Sequence, residues 1–102
     1  MKQFVVAELS VVPIGTPGAG LSDYIAIALR EVKKAGVKYK LCPTSTVFEA
    51  DLETALEVAK AAHRAVIGAG AKRVITTLRI DERLDQPRTI EERVERVAAK
   101  AK

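Results

Sequence analysis

Two short polar segments interrupt stretches of this chain in which apolar and polar residues otherwise alternate. The first is Val12-Pro13-Ile14-Gly15-Thr16, and the second is Pro43-Thr44-Ser45-Thr46-Val47-Phe48-Glu49. The second segment places three hydroxyls and a carboxylate beside a predicted strand. A small core gains little from such groups, because a buried polar group is costly unless it is hydrogen-bonded. A ligand with several hydrogen-bonding groups would supply those partners, so we expect function near these two segments.

Nucleophilic, metal-dependent and phosphate-binding chemistry finds little support in the other residues. The chain has one cysteine, Cys42, and one histidine, His63, so neither an internal disulfide nor a Cys/His metal cluster can form. Cys42 has no identifiable base, and His63 falls on the apolar stripe of a predicted helix, which favours a core or interface role. The glycines between Gly15 and Gly20 match neither the phosphate-loop nor the dinucleotide-binding spacing. We therefore predict no catalytic residues, no metal, no cofactor and no enzymatic activity.

Composition restricts the class of protein and its partners. The chain has 102 residues, a formal net charge of +4 and 4% aromatic residues. Its basic residues are dispersed and rings for base stacking are scarce, so no nucleic-acid binding is expected. No segment resembles a signal peptide or a membrane span, which predicts a cytoplasmic location and no membrane partner. The length predicts one domain over residues 1–102, and the absence of asparagine favours a thermophilic source.

Hydrophobic periodicity divides the chain into four strands and three helices. Alternating apolar residues predict strands, and apolar residues three or four positions apart predict amphipathic helices. Ser22, Asp51 and Thr89 are the predicted helix N-caps, and Thr89 forms a capping box with Glu92. The predicted strands are 3–12, 37–42, 44–49 and 72–81, and the predicted helices are 22–35, 52–67 and a third that begins after Thr89.

The order of these elements predicts the fold class. It reads βαββαβ with an added C-terminal helix, and right-handed crossovers make this an α+β, ferredoxin-like sandwich. The first two helices would cover one face of a four-stranded antiparallel sheet. The other face carries mixed apolar and polar residues and would stay open, so we expect a homo-oligomer, either a dimer or a tetramer.

The ordered motifs also resemble those of a small ferredoxin-like family, the thiamine-binding proteins. The resemblance covers essentially the whole chain, with departures at Ala50, where the family commonly has glycine, and in the small-residue loop 15–20. The motifs that carry it are Glu8-Leu9-Ser10-Val11-Val12-Pro13-Ile14-Gly15-Thr16, Ser22-x-Tyr24, Tyr39-x-Leu41-x-Pro43-x-x-Thr46-x-x-Glu49, and Arg73-Val74 through Ile80-Asp81-x-Arg83.

The resemblance implies binding without turnover. By this resemblance, the protein would be a cytoplasmic carrier or sensor of thiamine or its hydroxymethyl-pyrimidine moiety, and it would assemble as a tetramer. Thiamine joins an aminopyrimidine to a cationic thiazolium, so its site needs hydrogen-bonding groups, a carboxylate and an aromatic face. Tyr24 or Phe48 would supply the ring. The expected polar ligand-binding residues are Glu8, Ser10, Thr16, Ser45, Thr46, Glu49 and Thr77.

Several of these residues also have a structural alternative. Glu8 would pair with Arg79 across adjacent strands. Glu49 precedes the second helix, where a carboxylate is favourable with the helix dipole. Ser45 and Thr46 point to opposite faces of an ideal strand, so only one would meet a ligand unless a bulge follows Pro43.

Two other functions compete with thiamine binding. The first is a small oligomeric interaction protein whose open sheet face holds no small molecule. The second is an enzyme acting on a heteroaromatic substrate, which ranks last because no catalytic constellation is recognisable. A ligand-induced rise in melting temperature would distinguish ligand binding from the interaction protein.

Overall fold

The computed structural model describes residues 3–16 and 20–102. Within these residues the order βαββαβ with a following helix is confirmed. For most helices and strands, the predicted first and last residues lie within about two residues of the observed ones. The elements are β1 (Val5–Pro13), α1 (Ser22–Lys34), β2 (Lys38–Leu41), β3 (Thr46–Ala50), α2 (Leu52–Gly68), β4 (Val74–Asp81) and α3 (Ile90–Lys100).

The four strands form one antiparallel sheet in the order β2-β3-β1-β4. β1 lies between β3 and β4, and its alternate residues are buried along its whole length. Its register with β4 places Glu8 opposite Arg79 and Ser10 opposite Thr77. This topology, with both crossover helices on one side, is the predicted ferredoxin-like α+β fold.

The core lies between the sheet and helices α1 and α2. Phe48, Val5, Val32 and Val66 are its largest fully enclosed side chains. Fully burying such a side chain contributes roughly 1.5–3 kcal/mol to the stability of the folded state. Three of these four side chains are aliphatic and one is aromatic. Phe48 is therefore a core residue, and its ring is 0% exposed.

Two of the three predicted helix caps are confirmed. The Asp51 carboxylate accepts the Thr54 backbone N–H at 3.2 Å, and Thr89 and Glu92 form the capping box that opens α3. The predicted cap at Ser22 is wrong, because α1 already includes Ser22 and no side chain caps its start. The preceding Leu21 has helical φ and ψ, whereas a capping residue needs an extended backbone for its side chain to reach back.

The turn between β2 and β3 is longer than predicted. β3 begins at Thr46 rather than at residue 44, and β2 ends at Leu41. Residues 42–45 close a tight turn in which the Cys42 N–H donates to the Ser45 carbonyl at 2.8 Å. Pro43 has no N–H to donate to a strand ladder, so pairing stops on either side of it.

The sheet face opposite α1 and α2, here called the open face, is partly covered by α3. The Ile90 N–H donates to Glu49 of β3, and Arg93 donates to Asp81 of β4. The prediction of a fully open face is therefore wrong at one end, because two carboxylates on that face attach the start of α3. Within the described residues, no helix is both long and apolar enough to cross a membrane.

Candidate ligand-binding site

A cavity of about 230 Å³ lies between α1, the end of β1 and the turn joining β2 to β3. Its walls are mostly aliphatic, because the apolar stripe of α1 faces the end of the sheet here. We call it the α1 cavity. Its lining residues are Leu9, Ser10, Val11, Val12, Ile25, Ala28, Leu29, Val32, Leu41, Cys42, Pro43, Thr44, Ser45 and Thr46.

Thr46 is the most enclosed polar residue of the α1 cavity. It pairs with Leu9 of β1 and with Leu41 of β2, and only 7% of it is exposed. Its hydroxyl makes no hydrogen bond with any residue that the structure describes. Nevertheless, no polar side-chain atom among those residues is both buried and without a partner. The hydroxyl therefore keeps some accessible surface, and because the Thr46 side chain lies on the α1 side of the sheet and lines the cavity, a ligand there could exchange a hydrogen bond with it.

Ser45 joins the rim of the α1 cavity to the open face. Its hydroxyl donates to the Glu8 carboxylate at 2.9 Å, across the gap between β3 and β1. The predicted register of Glu8 with Arg79 is confirmed, but the described partner of the Glu8 carboxylate is Ser45 rather than Arg79. Glu8 is exposed on the open face and does not line the cavity, but its carboxylate contacts Ser45, which does. Its negative charge therefore lies next to one residue of the cavity rim.

Glu49 lies apart from the α1 cavity. Its carboxylate accepts the Ile90 N–H at 2.7 Å and pairs with Lys38 at 3.2 Å, and its side chain is 13% exposed. A helix N-terminus does meet this acid, as expected from the dipole, but it belongs to α3 rather than α2. The geometry gives Glu49 a structural role in attaching α3.

Charge around Glu49 strengthens that attachment. Lys38 also pairs with Glu91 in the first turn of α3. This contact is the main cause of the raised pKa of Lys38, which the neighbouring Glu49 also favours. The same contact lowers the pKa of Glu91. Both groups therefore stay ionised over a wider pH range than they would alone.

The two remaining predicted residues do not line the α1 cavity. Thr77 is exposed on the open face opposite Ser10, and Thr16 is half-buried in the segment that follows β1. Half of the predicted small-residue loop, residues 17–19, lies outside the described residues. Of the predicted residues, Ser10, Ser45 and Thr46 line the α1 cavity, and Glu8 reaches Ser45 from the open face.

Sequence reasoning missed the apolar half of the site. Ile25, Ala28 and Leu29 belong to the apolar stripe of α1, and helical periodicity alone predicts that such a stripe faces the core, yet they form one wall of the cavity. The available signal was Ala28, a small residue in a stripe of larger ones. Phe48 does not line the cavity, and Tyr24 packs half-buried against the core.

His63 lies on the sheet side of α2, outside the cavity lining. Its Nδ1 is 2.6 Å from the Thr76 hydroxyl of β4, and the residue is half-buried. This contact ties α2 to the edge strand and accounts for a polar residue on an otherwise apolar helix face.

The sequence of this chain is similar to those of known proteins over most of its length. The sequence profile of the family described as thiamine-binding protein matches residues 7–98. A UPF0045 protein of Methanothermobacter thermautotrophicus is 45% identical over 97 residues, which are 94% of this chain and 98% of that protein.

Solved structures share the fold over nearly the whole chain. A hypothetical protein of Methanocaldococcus jannaschii superposes with a TM-score of 0.87 and 37% identity, covering 95% of this chain and 98% of that one. A candidate thiamine biosynthesis/salvage protein of Thermotoga maritima gives a TM-score of 0.80 and 29% identity, covering 92% and 98%. With the profile match and the 45% identical relative, these findings place the chain in the thiamine-binding protein family.

Proposed function

We propose that this protein binds thiamine or its hydroxymethyl-pyrimidine moiety reversibly in the α1 cavity, as a carrier or sensor. The observation that carries the proposal is Thr46, which lines an aliphatic cavity and whose hydroxyl has no partner among the described residues. Ligand sites combine apolar walls with a few such polar groups. The family profile and the Thermotoga neighbour support a thiamine-related ligand.

The size of the cavity favours the pyrimidine over the whole vitamin. Sites for drug-sized ligands typically measure about 300–1,000 Å³, whereas the α1 cavity measures about 230 Å³. The flat aminopyrimidine would lie between the aliphatic walls with its polar edge toward Thr46. The thiazolium would remain at the rim, where the exposed Glu8 carboxylate favours a cation.

The site is proposed to bind its ligand without converting it. Cys42 is a possible nucleophile in the cavity lining, but His63, a possible base, does not line the cavity and contacts Thr76 instead. A nucleophile without an adjacent base is weakly activated.

Calorimetry and thermal denaturation test the proposal directly. Thiamine, hydroxymethyl-pyrimidine and the thiamine phosphates are each titrated into the purified protein. At about one hundred times its Kd, a ligand should stabilise the folded state by roughly 2.7 kcal/mol. Thiamine recovered intact by mass spectrometry is the expected result. If none of these compounds binds, the proposed function is refuted. If free pyrimidine or thiazole is released from thiamine, the protein is an enzyme.

Replacing Thr46 with valine should weaken binding while keeping the fold. Valine preserves the volume and branching of threonine, and no described residue loses a hydrogen bond. One neutral hydrogen bond contributes about 0.5–1.5 kcal/mol, so we expect thiamine affinity to fall about two- to tenfold by calorimetry. Thr77→Val makes the same change outside the cavity and should bind normally. Weakened binding in Thr77→Val alone would move the site to the open face.

Replacing Glu8 with glutamine should discriminate between the two ligands. The amide keeps the shape and can still accept the Ser45 hydrogen bond, but it loses the negative charge. We expect thiamine, a cation, to bind roughly tenfold more weakly, with little change for the neutral pyrimidine. Glu57→Gln on the exposed side of α2 is the matched control. Equal losses for both ligands would remove Glu8 from the cation role.

The exposed apolar residues support the proposed oligomer. Ile75 on the open face is 47% exposed, and Val94 and Val97 of α3 are 56% and 68% exposed. Burial of these side chains in a dimer or tetramer would stabilise so small a chain. Light scattering at micromolar concentration should therefore give a multiple of the 11.0 kDa chain mass. A mass equal to one chain would exclude this assembly.

A further inference from the structure

Cys42 is the single thiol of the chain, and it lines the α1 cavity. The residue is half-buried, at the start of the tight turn between β2 and β3. Its Sγ lies 3.9 Å from the Lys40 carbonyl oxygen, which allows only a weak hydrogen bond. The thiol is thus partly accessible and is held by no strong contact among the described residues.

A second, independent feature indicates that the same cavity receives a ligand. Thr46, four residues further along the chain, is 7% exposed, lines the cavity, and has a hydroxyl without a described partner. Cys42 and Thr46 line one space of about 230 Å³. Any group attached to the sulfur would have to share that space with the ligand.

We propose that Cys42 is a modification site that controls ligand binding: a mixed disulfide between Cys42 and a low-molecular-weight thiol closes the α1 cavity. This inference rests on the proposed function, since the ligand it excludes is the one assigned to that cavity. Conversely, bound ligand shields the thiol.

The chemistry is a thiol–disulfide exchange with a small disulfide such as cystine as the oxidant. The Cys42 thiolate attacks one sulfur of that disulfide, so its S–S bond breaks as the new one forms. The departing thiolate takes up the proton that Cys42 released. Cys42 is oxidised, one half of the small disulfide stays at the disulfide oxidation level in the new bond, and the other half is reduced and leaves as the free thiol. Excess thiol reverses the reaction, which makes the closure reversible.

Steric exclusion explains why the adduct would compete with the ligand. The cavity walls come from α1 and β1, and the turn that carries Cys42 is closed by the hydrogen bond from Cys42 to Ser45. Packed walls yield little to an added group. A cysteinyl group on Sγ would also bring its charged amino and carboxylate groups against the aliphatic walls. The space that these groups fill would then be closed to a pyrimidine.

The first arm of the test measures how fast cystine modifies the native protein, followed by intact mass. Thiamine or hydroxymethyl-pyrimidine at ten times its Kd should slow the reaction about tenfold. The variant Ala28→Leu, which fills the cavity from α1, should also be modified more slowly than wild type. Ala26→Leu, an exposed position of the same helix, should react as wild type does.

The second arm measures binding by the modified protein. The cystine adduct should show no detectable ligand binding, and reduction should restore the original affinity. Cystine treatment of Cys42→Ala should leave that variant's own affinity unchanged. The inference is overturned if the confirmed adduct binds as the reduced protein does. It is also overturned if cystine modifies the urea-unfolded chain but never the native one.

These arms separate the inference from the proposed function. If the reduced protein bound neither compound, the proposed function would fail. Slower modification of Ala28→Leu than of Ala26→Leu would still support Cys42 as a modification site within the cavity. Equal rates for the two variants would overturn that assignment.

Discussion

Replacing Ala28 with leucine is expected to abolish most ligand binding while leaving the fold intact. Ala28 lies on α1 with its methyl group at the cavity wall, and it is 8% exposed. Leucine would extend into the cavity, so the empty protein can accommodate it. The ligand would meet an overpacked site at a cost of about 1–3 kcal/mol, which corresponds to roughly five- to 150-fold weaker binding. Calorimetry with thiamine and hydroxymethyl-pyrimidine measures the loss.

Ala26→Leu is the matched control for this prediction. It makes the same change two residues away on α1, at an exposed position outside the cavity lining. It should bind like wild type. Urea denaturation should show that Ala28→Leu is at least as stable as the control, because filling a cavity commonly stabilises a protein. Wild-type affinity in both variants would mean that the ligand does not enter the α1 cavity.

Replacing Glu49 with alanine is expected to give the largest loss of stability. The carboxylate accepts the Ile90 N–H at 2.7 Å and also pairs with Lys38, so its removal leaves the start of α3 unattached. A hydrogen bond to a charged group contributes about 1.5–3 kcal/mol. For a chain of this length that corresponds to a fall in Tm of roughly 6–24 °C. Hydrogen exchange of the α3 amides should accelerate in the same variant.

Two variants make the Glu49 result interpretable. Glu49→Gln can still accept the Ile90 N–H but has no charge, so its loss of stability should be smaller than that of Glu49→Ala. Glu57→Ala removes an exposed carboxylate from α2 and should change stability little. If Glu49→Ala also lost ligand binding while α3 remained protected from exchange, Glu49 would belong to the binding site after all.

Local patterns in the sequence were sufficient for the elements and their order. Alternation in β1 and helical spacing in α1 and α2 reflect which side chains must be buried, and those periods are properties of single elements. The caps at Asp51 and Thr89 were predictable because each side chain bonds to a backbone N–H only three residues away. The start of α1 was not predictable in this way, because it depends on the backbone conformation of Leu21, which has helical φ and ψ and leaves Ser22 inside the helix.

The candidate site, by contrast, depends on contacts between residues that are distant in sequence. Ser45 bonds to Glu8 across 37 positions, and Glu49 bonds to the Ile90 N–H across 41. Residue type identified all three side chains as polar and noteworthy, but it could not say that one carboxylate would attach α3 while the other would flank a cavity. That division follows from strand register and from the path of α3 over the sheet.

The sequence by itself therefore determined the fold class, the family resemblance and a short set of polar candidates. Only the tertiary structure placed Thr46 in a cavity with Ala28 and Cys42 while setting Thr77 and Glu49 apart from it. The physical reason is that periodicity specifies which face of an element is buried, whereas a cavity arises where three elements pack together incompletely. No single stretch of sequence encodes that gap.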